Sequence, residues 1–497
     1  MVDKLGNQRF AFTSIMGGNV MAKFNKTYIF NRSDSKTFKE IILQVPKGTK
    51  EILVKGYYEP KSENNLNRNR ELILSAVNKY LDGYKDNYNC NEDYFIDRYF
   101  PINNFVSYSL FDTHGQMRAQ VINFFIRTVQ ISKDLVSLGC IPGEIYPGEW
   151  KLFLELHEVV TNNLTVYLEV QFNKKITSGI ASAKACLAEK RYLKQLNLKQ
   201  NKRSGSRWYS GDLHVHSHHS DGNNSIGELI EYFKHKAYDF FVLSDHNTTS
   251  GWNEELNDHM LVIPGCEITT FYGHMVAINR ASYVDWYSLN QKSTFEKLSK
   301  ILHSQNSLLS IAHSAAIGNP ICTGCRWEYK NFEWTLADCM EVLICPSNER
   351  KVESQETLKK WERLLNIGLR VVAVSDTDLH DIKLQKEDSP RTYVWSNSYT
   401  KEDILTSLKE GKVYLSCGFD IDFYLKSSQN GKKFYIGDEI NINKELNIII
   451  HFQIKRLKDE VRIEVVKQGQ IIQSFYSNSG EISKQCLDKV NGNSWYN

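Results

Sequence analysis

The chain has 497 residues, of which 41% are hydrophobic and 24% charged, and its formal net charge is +3. That length exceeds one ordinary core and sets an expectation of two to four domains, while the composition excludes a disordered chain. No apolar run approaches the roughly 18 residues of a membrane-spanning helix, and the first residues lack the charged-then-apolar pattern of a secretory signal, so a cytoplasmic protein without membrane association is expected.

In chain order, residues from about 8 to 172 contain alternating or β-branched runs, "KEIILQV", "EILVKGYY", "EWKLFLELHEVV" and "NLTVYLEVQF", separated by Gly, Pro and Asn turns. They predict a mostly-β, sandwich-like domain over 1–173. "RNRELILSAVNKYLDGY" interrupts it with helical spacing. Over 174–207 "SAKACLAEKRYLKQLNLKQ" reads as a connecting helix and "NKRSGSR" as a polar linker. Ten Lys/Arg stand against the single acid Glu189 between Lys174 and Arg207. A solvated connector accounts for that stretch better than a phosphate track, so nucleic acid is not the favoured partner.

From Trp208 to Ser416 short apolar runs alternate with amphipathic helices, the rhythm of parallel strands with helical crossovers. "SIGELIEYFKHK" opens with a capping box of Ser225 and Glu228, and "TKEDILTSLKEG" starts at Thr400 and stops at Gly411. "DFFVLS", "MLVIPG", "SLLSIA", "MEVLIC" and "RVVAVS" are the strand candidates. Residues 417–497 return to alternation and predict a small C-terminal β-domain. Ten scattered cysteines with one C-x-x-C, Cys322 and Cys325, fit reduced thiols better than a disulfide framework. That pair is expected to make a loop contact near the site rather than half of a structural zinc site.

The chemistry concentrates in "GDLHVHSHHSDG", Gly211 to Gly222. In a strand His214 and His216 leave one face, with Leu213 and Val215 on the core face, and the Ser-Asp-Gly turn can swing Asp221 back toward them. Imidazole nitrogen with carboxylate oxygen suits Zn²⁺, Mn²⁺ or Fe²⁺. Eleven of the fourteen histidines lie between His214 and His380. Several follow a strand candidate directly: Asp245 and His246 in "FVLSDHN", His313 in "LLSIAHS", and Asp376, Asp378 and His380 in "VVAVSDTDLHD". Glu267 and His274 flank a turn at Gly273. In a parallel α/β barrel the C-terminal strand ends converge, so these residues can meet. His218 and His219 are expected to face solvent or to stand behind the ligands, and Glu341 to be a buried carboxylate supporting a ligand. Arg326, Arg370 and Arg391 are candidates to grip an anionic substrate, with a surface salt bridge the favoured reading of each taken singly. No Walker loop, Gly-rich dinucleotide turn or G-x-S-x-G is present in the sequence.

"DLHVHSHHSDG", "FVLSDHN", Glu267 with His274, "IAHS" and the closing Asp-x-His together resemble the PHP (polymerase and histidinol phosphatase) superfamily. "NPICTGCRWEY" and the appended β-domains make the chain most similar to its CehA/McbA-type metallohydrolases. The resemblance covers roughly 208–418. It implies a distorted (β/α)₇ barrel over 208–416 holding two or three divalent metal ions. His214, His216 and Glu267 would hold one metal together with an aspartate of "SDTDLH". Glu267 would bridge to a second, bound by His274 and His313, and Asp221, His246 and His380 would hold a third. The family's closing motif is often the shorter Ser-Asp-x-His, whereas here it reads Ser-Asp-Thr-Asp-Leu-His, which leaves two aspartates open; Asp378, two residues before His380, is favoured as the ligand, with Asp376 the alternative.

Carboxylate and imidazole ligands around several cations suit hydrolysis, because the cations acidify water and neutralise charge on the attacked group. The expectation is a metal-dependent phosphoesterase acting on a small phosphorylated metabolite or nucleotide. Glu267 would sit at the reacting centre, and Asp245 or His246 would help to protonate the leaving oxygen. Hydrolysis of a carbamate, ester or amide at the same metals is the alternative, and a binding protein with a vestigial barrel a third reading.

Overall fold

The computed structural model describes residues 19–81, 91–177, 183–184, 205–253, 260–280, 282–289, 292–343, 348–442, 445–478 and 480–497. Most of the predicted connecting helix and linker lies outside these residues. The chain is mixed α/β, with many strands and six α-helices among the described residues.

The N-terminal segment forms two four-stranded antiparallel sheets. One runs Val20–Phe30, Leu164–Asn173, Glu51–Glu59, Ile126–Ser132, and the other Thr37–Val45, Gly148–Glu158, Phe105–Phe111, Met117–Val121. Alternation drives the pairing. In Gly148–Glu158 the inward positions Trp150, Leu152, Leu154 and Leu156 are at most 1% exposed, and they meet Val54, Val166, Val170 and Phe172 of the other sheet in one core. The helix read from "RNRELILSAVNKYLDGY" spans Leu66–Leu81, and its buried face of Ile73, Ala76, Val77 and Tyr80 packs with Phe95 and Ile317.

A nine-stranded sheet carries the candidate site. Its order is Val372–Ser375, Cys339–Leu343, Leu308–Ile311, His274–Ile278, Leu261–Thr269, Phe240–Leu243, Arg207–Val215, Arg391–Ser396, Val413–Ser416. All five strand candidates of the sequence lie in it. The predicted parallel regularity is broken. Leu261–Thr269 pairs antiparallel with His274–Ile278, because the short turn at Gly273 gives no room for a crossover, and His274–Ile278 pairs antiparallel with Leu308–Ile311 in turn. Helices connect Arg207–Val215 to Phe240–Leu243 (Ile226–His235), His274–Ile278 to Leu308–Ile311 (Lys292–Ser304), Cys339–Leu343 to Val372–Ser375 (Asn348–Asn366) and Arg391–Ser396 to Val413–Ser416 (Lys401–Lys409). Ser225 and Glu228 form the expected capping box.

The sheet curls until its first strand meets its eighth and the segment after the first strand meets the seventh. The Thr392 hydroxyl donates to Ser375 O (2.6 Å) and accepts from Ser375 N (2.8 Å). Leu379 N donates to His214 O, and His216 N to Leu379 O. The N-terminal sheets pack against this curled sheet: Tyr287 Oη donates to the buried Glu155 (2.6 Å), Thr323 Oγ1 to Glu158 (2.8 Å) and Lys36 Nζ to Glu328 (2.7 Å). The loop over 312–336 is thereby fixed from outside the sheet. The C-terminal segment is a four-stranded sheet and a hairpin, Val461–Lys467 with Gln470–Ser477, over a core of Ile448, Ile450, Phe452 and Ile454. No helix among the described residues is long and apolar enough to cross a membrane.

Candidate metal centre

The strand period puts Leu213 and Val215 in apolar cores and His214 and His216 on the opposite face, both 0% exposed, with ring centroids 4.9 Å apart. Asp212 shares their face. It accepts from His214 N and from the Thr377 hydroxyl, which ties the 376–380 segment alongside this strand.

Asp221 returns to the histidines through a tight turn. A Cβ on Gly222 would stand 2.5 Å from the His216 carbonyl oxygen, so only glycine closes it. Asp245 holds that turn. Its carboxylate accepts from Ser217 N (2.8 Å), Ser217 Oγ (2.8 Å) and Ser220 Oγ (2.7 Å), so the oxygens expected to serve catalysis are occupied by the loop. Asp221 Oδ1 lies 3.4 Å from both His246 Nε2 and His380 Nε2. Asp221 and His380 are 36% exposed, so the site opens to solvent on their side.

Glu267 is the hub. Its Oε1 lies 3.0 Å from His274 Nδ1 and 3.2 Å from His313 Nε2, and its Oε2 lies 2.7 Å from His246 Nδ1, 3.3 Å from His214 Nε2 and 3.5 Å from His216 Nε2. Burial alone would raise this carboxyl. The surrounding imidazoles, His246, His214 and His274 foremost, hold it well below the ordinary carboxylate range. His246 is fixed beside it because Asn247 Nδ2 donates to Thr269 O while Asn247 Oδ1 accepts from Thr269 N.

Asp378 approaches from the other side. Its Oδ1 lies 3.2 Å from His216 Nε2, 3.5 Å from His214 Nε2 and 3.6 Å from His380 Nδ1. Asp378 (φ 50°) and His313 (φ 24°) both have left-handed backbone, a conformation that costs a non-glycine residue about 1–3 kcal/mol and collects at functional sites. Glu341 supports two candidate ligands, with Oε1 2.8 Å from His214 Nδ1 and Oε2 accepting from His313 N. Asp376 is fully buried with both oxygens lacking a hydrogen-bond partner. Burial and the neighbouring Glu341 push its carboxyl well above the usual range.

Three overlapping groups therefore have metal-ligand spacing: His216, Asp221, His246 and His380; His214, His216 and Asp378; and His214, Glu267 and His313. Two more are His214 with Glu341 and Asp376, and His274 with His313 and Cys325. His214 Nε2 and both ring nitrogens of His216 and His274 are buried and, though close to carboxylates, make no hydrogen bond. An unsatisfied buried group costs about 1–3 kcal/mol, and a cation at their centre removes that cost. The donor set of imidazoles and carboxylates fits divalent metal ions. Burial, then the charges of His380 and His246, lower His216 to about 3, and burial lowers His274 to about 4. His380 is pushed down by burial, but Asp221 and Asp378 outweigh it and leave it raised to about 10.

Other expectations change. His219, expected either to face solvent or to stand behind the ligands, is buried, with Nδ1 2.8 Å from Ser250 Oγ. Arg326 is engaged by the Ala315 carbonyl and Glu356, Arg370 by Glu439 and the Gly437 carbonyl, and Arg391 by the Lys236 carbonyl. None of these contacts is with the histidine cluster. Cys322 and Cys325 form a disulfide rather than free thiols, since three residues of turn set their Cα atoms 5.5 Å apart. The Cys325 carbonyl accepts from His313 Nδ1 (2.9 Å), the loop contact expected of this pair.

No family model matches the chain, and no curated protein is similar to it. Among solved structures, it is similar to a two-domain protein from Bacteroides vulgatus containing a predicted PHP-like metal-dependent phosphoesterase. That match has 13% identity over 58% of this chain and 88% of the other, with a TM-score of 0.33. Endonuclease Q in complex with a 27-mer duplex carrying an abasic lesion is similar at 14% identity over 46% of this chain and 65% of that one, with a TM-score of 0.28. Likenesses this distant leave the chemistry to be read from the residues themselves.

Proposed function

We propose that the chain is a metal-dependent phosphoesterase of the PHP type, acting on a small phosphorylated metabolite or nucleotide. The curled sheet is read as a distorted (β/α)₇ barrel over 208–416, with an N-terminal β-sandwich domain over 1–173, a basic connector and a C-terminal β-domain over 417–497. The observation that carries the proposal is the Glu267 carboxylate within 3.5 Å of five imidazoles.

In this reading His214, His216, Glu267 and Asp378 hold one cation, Glu267, His274 and His313 a second, and Asp221, His246 and His380 a third. Bound divalent cations supply acidified water and charge neutralisation for the phosphoryl group. Glu341 orients His214 so that Nε2 faces the centre, and the left-handed turn at Asp378 aims its carboxylate at the same point. Substrate enters where Asp221 and His380 reach the surface. Of the two residues expected to protonate the leaving oxygen, Asp245 is occupied by Ser217 and Ser220, and His246 can serve only while it does not hold the third cation. A screen of Mn²⁺-loaded protein against phosphate monoesters, phosphodiesters and aryl esters or carbamates tests the proposal. Turnover of phosphate esters supports it; turnover confined to the carboxyl-type substrates overturns the phosphoesterase assignment.

A further inference from the structure

Behind His274 and His313 the centre is backed by the N-terminal sheets. Glu267 Oε1 faces His274 Nδ1 and His313 Nε2, so the opposite edges of both rings point outward, toward the loop over 318–329. There the Cys325 carbonyl accepts from His313 Nδ1 (2.9 Å). Gly324, with φ +83°, brings the same loop so close that a Cβ on it would stand 2.8 Å from His274 Nε2. Two contacts from the N-terminal sheets fix this loop. Thr323 Oγ1, next to Gly324, donates to Glu158 (2.8 Å), and Lys36 Nζ donates to Glu328 (2.7 Å), whose backbone N–H donates to the Tyr272 carbonyl (2.6 Å). The turn that carries His274 is packed from the same side, the Phe271 ring centroid lying 4.7 Å from that of Phe38 and 5.1 Å from that of His157.

We infer that Lys36 and Glu158 are positioning residues of the metal centre: they hold the 318–329 loop against His313 and His274, so that docking of the N-terminal sheets and occupancy of the cation between Glu267, His274 and His313 are coupled. The inference rests on the metal-centre reading above. A carbonyl accepting from Nδ1 fixes the tautomer of His313 and leaves Nε2 with its lone pair toward Glu267. With the loop withdrawn that ring is free to turn, and the second cation loses an oriented donor. The first cation keeps its own supports, since His214 is oriented by Glu341 and the Asp378 segment is tied down by Thr377 on Asp212. Lys36 and Glu158 bind the loop rather than the ligands, so both act through it. Lys36 and Glu328 are half-buried, and their pair is screened less than one on the open surface. Coupling between two such events is reciprocal: an ion that needs the loop in place also favours the docked sheets.

The test uses full-length protein stripped of metal and titrated with Zn²⁺ in competition with a chromophoric chelator, as wild type, Lys36→Met, Thr323→Val and Glu158→Gln, each matched by circular dichroism. Lys36→Met and Thr323→Val should each weaken one zinc equivalent about tenfold and leave the others unchanged. Glu158→Gln, whose amide oxygen still accepts from Thr323, should stay near wild type. Zinc should also slow amide hydrogen exchange across 36–45 and 148–158 in wild type, and less so in Thr323→Val. Unchanged zinc affinities in both Lys36→Met and Thr323→Val overturn the positioning role and leave the metal centre standing. Equal weakening of every equivalent overturns it as well, by showing general destabilisation, and exchange that zinc leaves untouched in wild type overturns the coupling. Wild type that takes up no zinc overturns both this inference and the metal centre.

Discussion

Glu341 Oε1 lies 2.8 Å from Nδ1 of His214, which leaves Nε2 as the nitrogen of that ring facing Glu267 and Asp378. A buried carboxylate behind a ligating imidazole fixes its tautomer and raises its basicity. Glu341→Gln keeps the shape but removes the charge. Metal affinity should fall about 10–100-fold with the fold intact, read by competition with a chromophoric chelator. Unchanged affinity would remove Glu341 from this role.

Asp376 and Asp378 should differ in kind. Asp378 faces three imidazoles, whereas Asp376 is buried without a hydrogen-bond partner and its carboxyl is pushed toward the neutral form. Asp378→Asn should lose nearly all turnover and a metal equivalent. Asp376→Asn, which leaves the contacts of Asp378 with the three imidazoles in place, should keep measurable turnover that added Mn²⁺ partly restores. The reverse ranking in one assay would transfer the ligand role to Asp376.

Much of the site is legible in the sequence, because period-two alternation aims His214 and His216 together and glycine closes the turn that returns Asp221. "FVLSDHN" and "SDTDLHD" place their residues just beyond strand ends for the same local reason. The hub role of Glu267 is not local. It arises because the sheet curls and because the antiparallel excursion across Gly273 brings His274 beside it.

Metal uptake should release protons at neutral pH. His216 (about 3) and His274 (about 4) are neutral there, but His380, raised to about 10, carries a proton that must leave before its nitrogen accepts a cation. In the metal-free protein the raised value means that the stabilisation from His380 is fully present below the unfolded value of about 6.5 and is lost as pH rises through about 10. Calorimetric titration in two buffers of different ionisation heat should therefore give different apparent enthalpies, and His380→Asn should shrink the difference. Equal heats for wild type would contradict the assignment.

Gly324→Ala should damage the site from its rim. The left-handed backbone costs alanine about 1–2 kcal/mol, and the Thr270 carbonyl blocks the added methyl, so the loop must move away from His274. A lower melting temperature and weaker binding of one metal equivalent are expected. A variant matching wild type in both would show that the loop does not need its close approach.

The most direct measurement of the central claim is divalent metal content per chain by elemental mass spectrometry, for wild type and Glu267→Gln purified without chelator and matched by circular dichroism. Wild type should carry more than one equivalent of Mn, Fe or Zn, and Glu267→Gln should lose at least one of them together with turnover. A wild-type chain that carries none and takes up none on addition of Mn²⁺ or Zn²⁺, or a Glu267→Gln variant with full metal content and activity, would contradict the account.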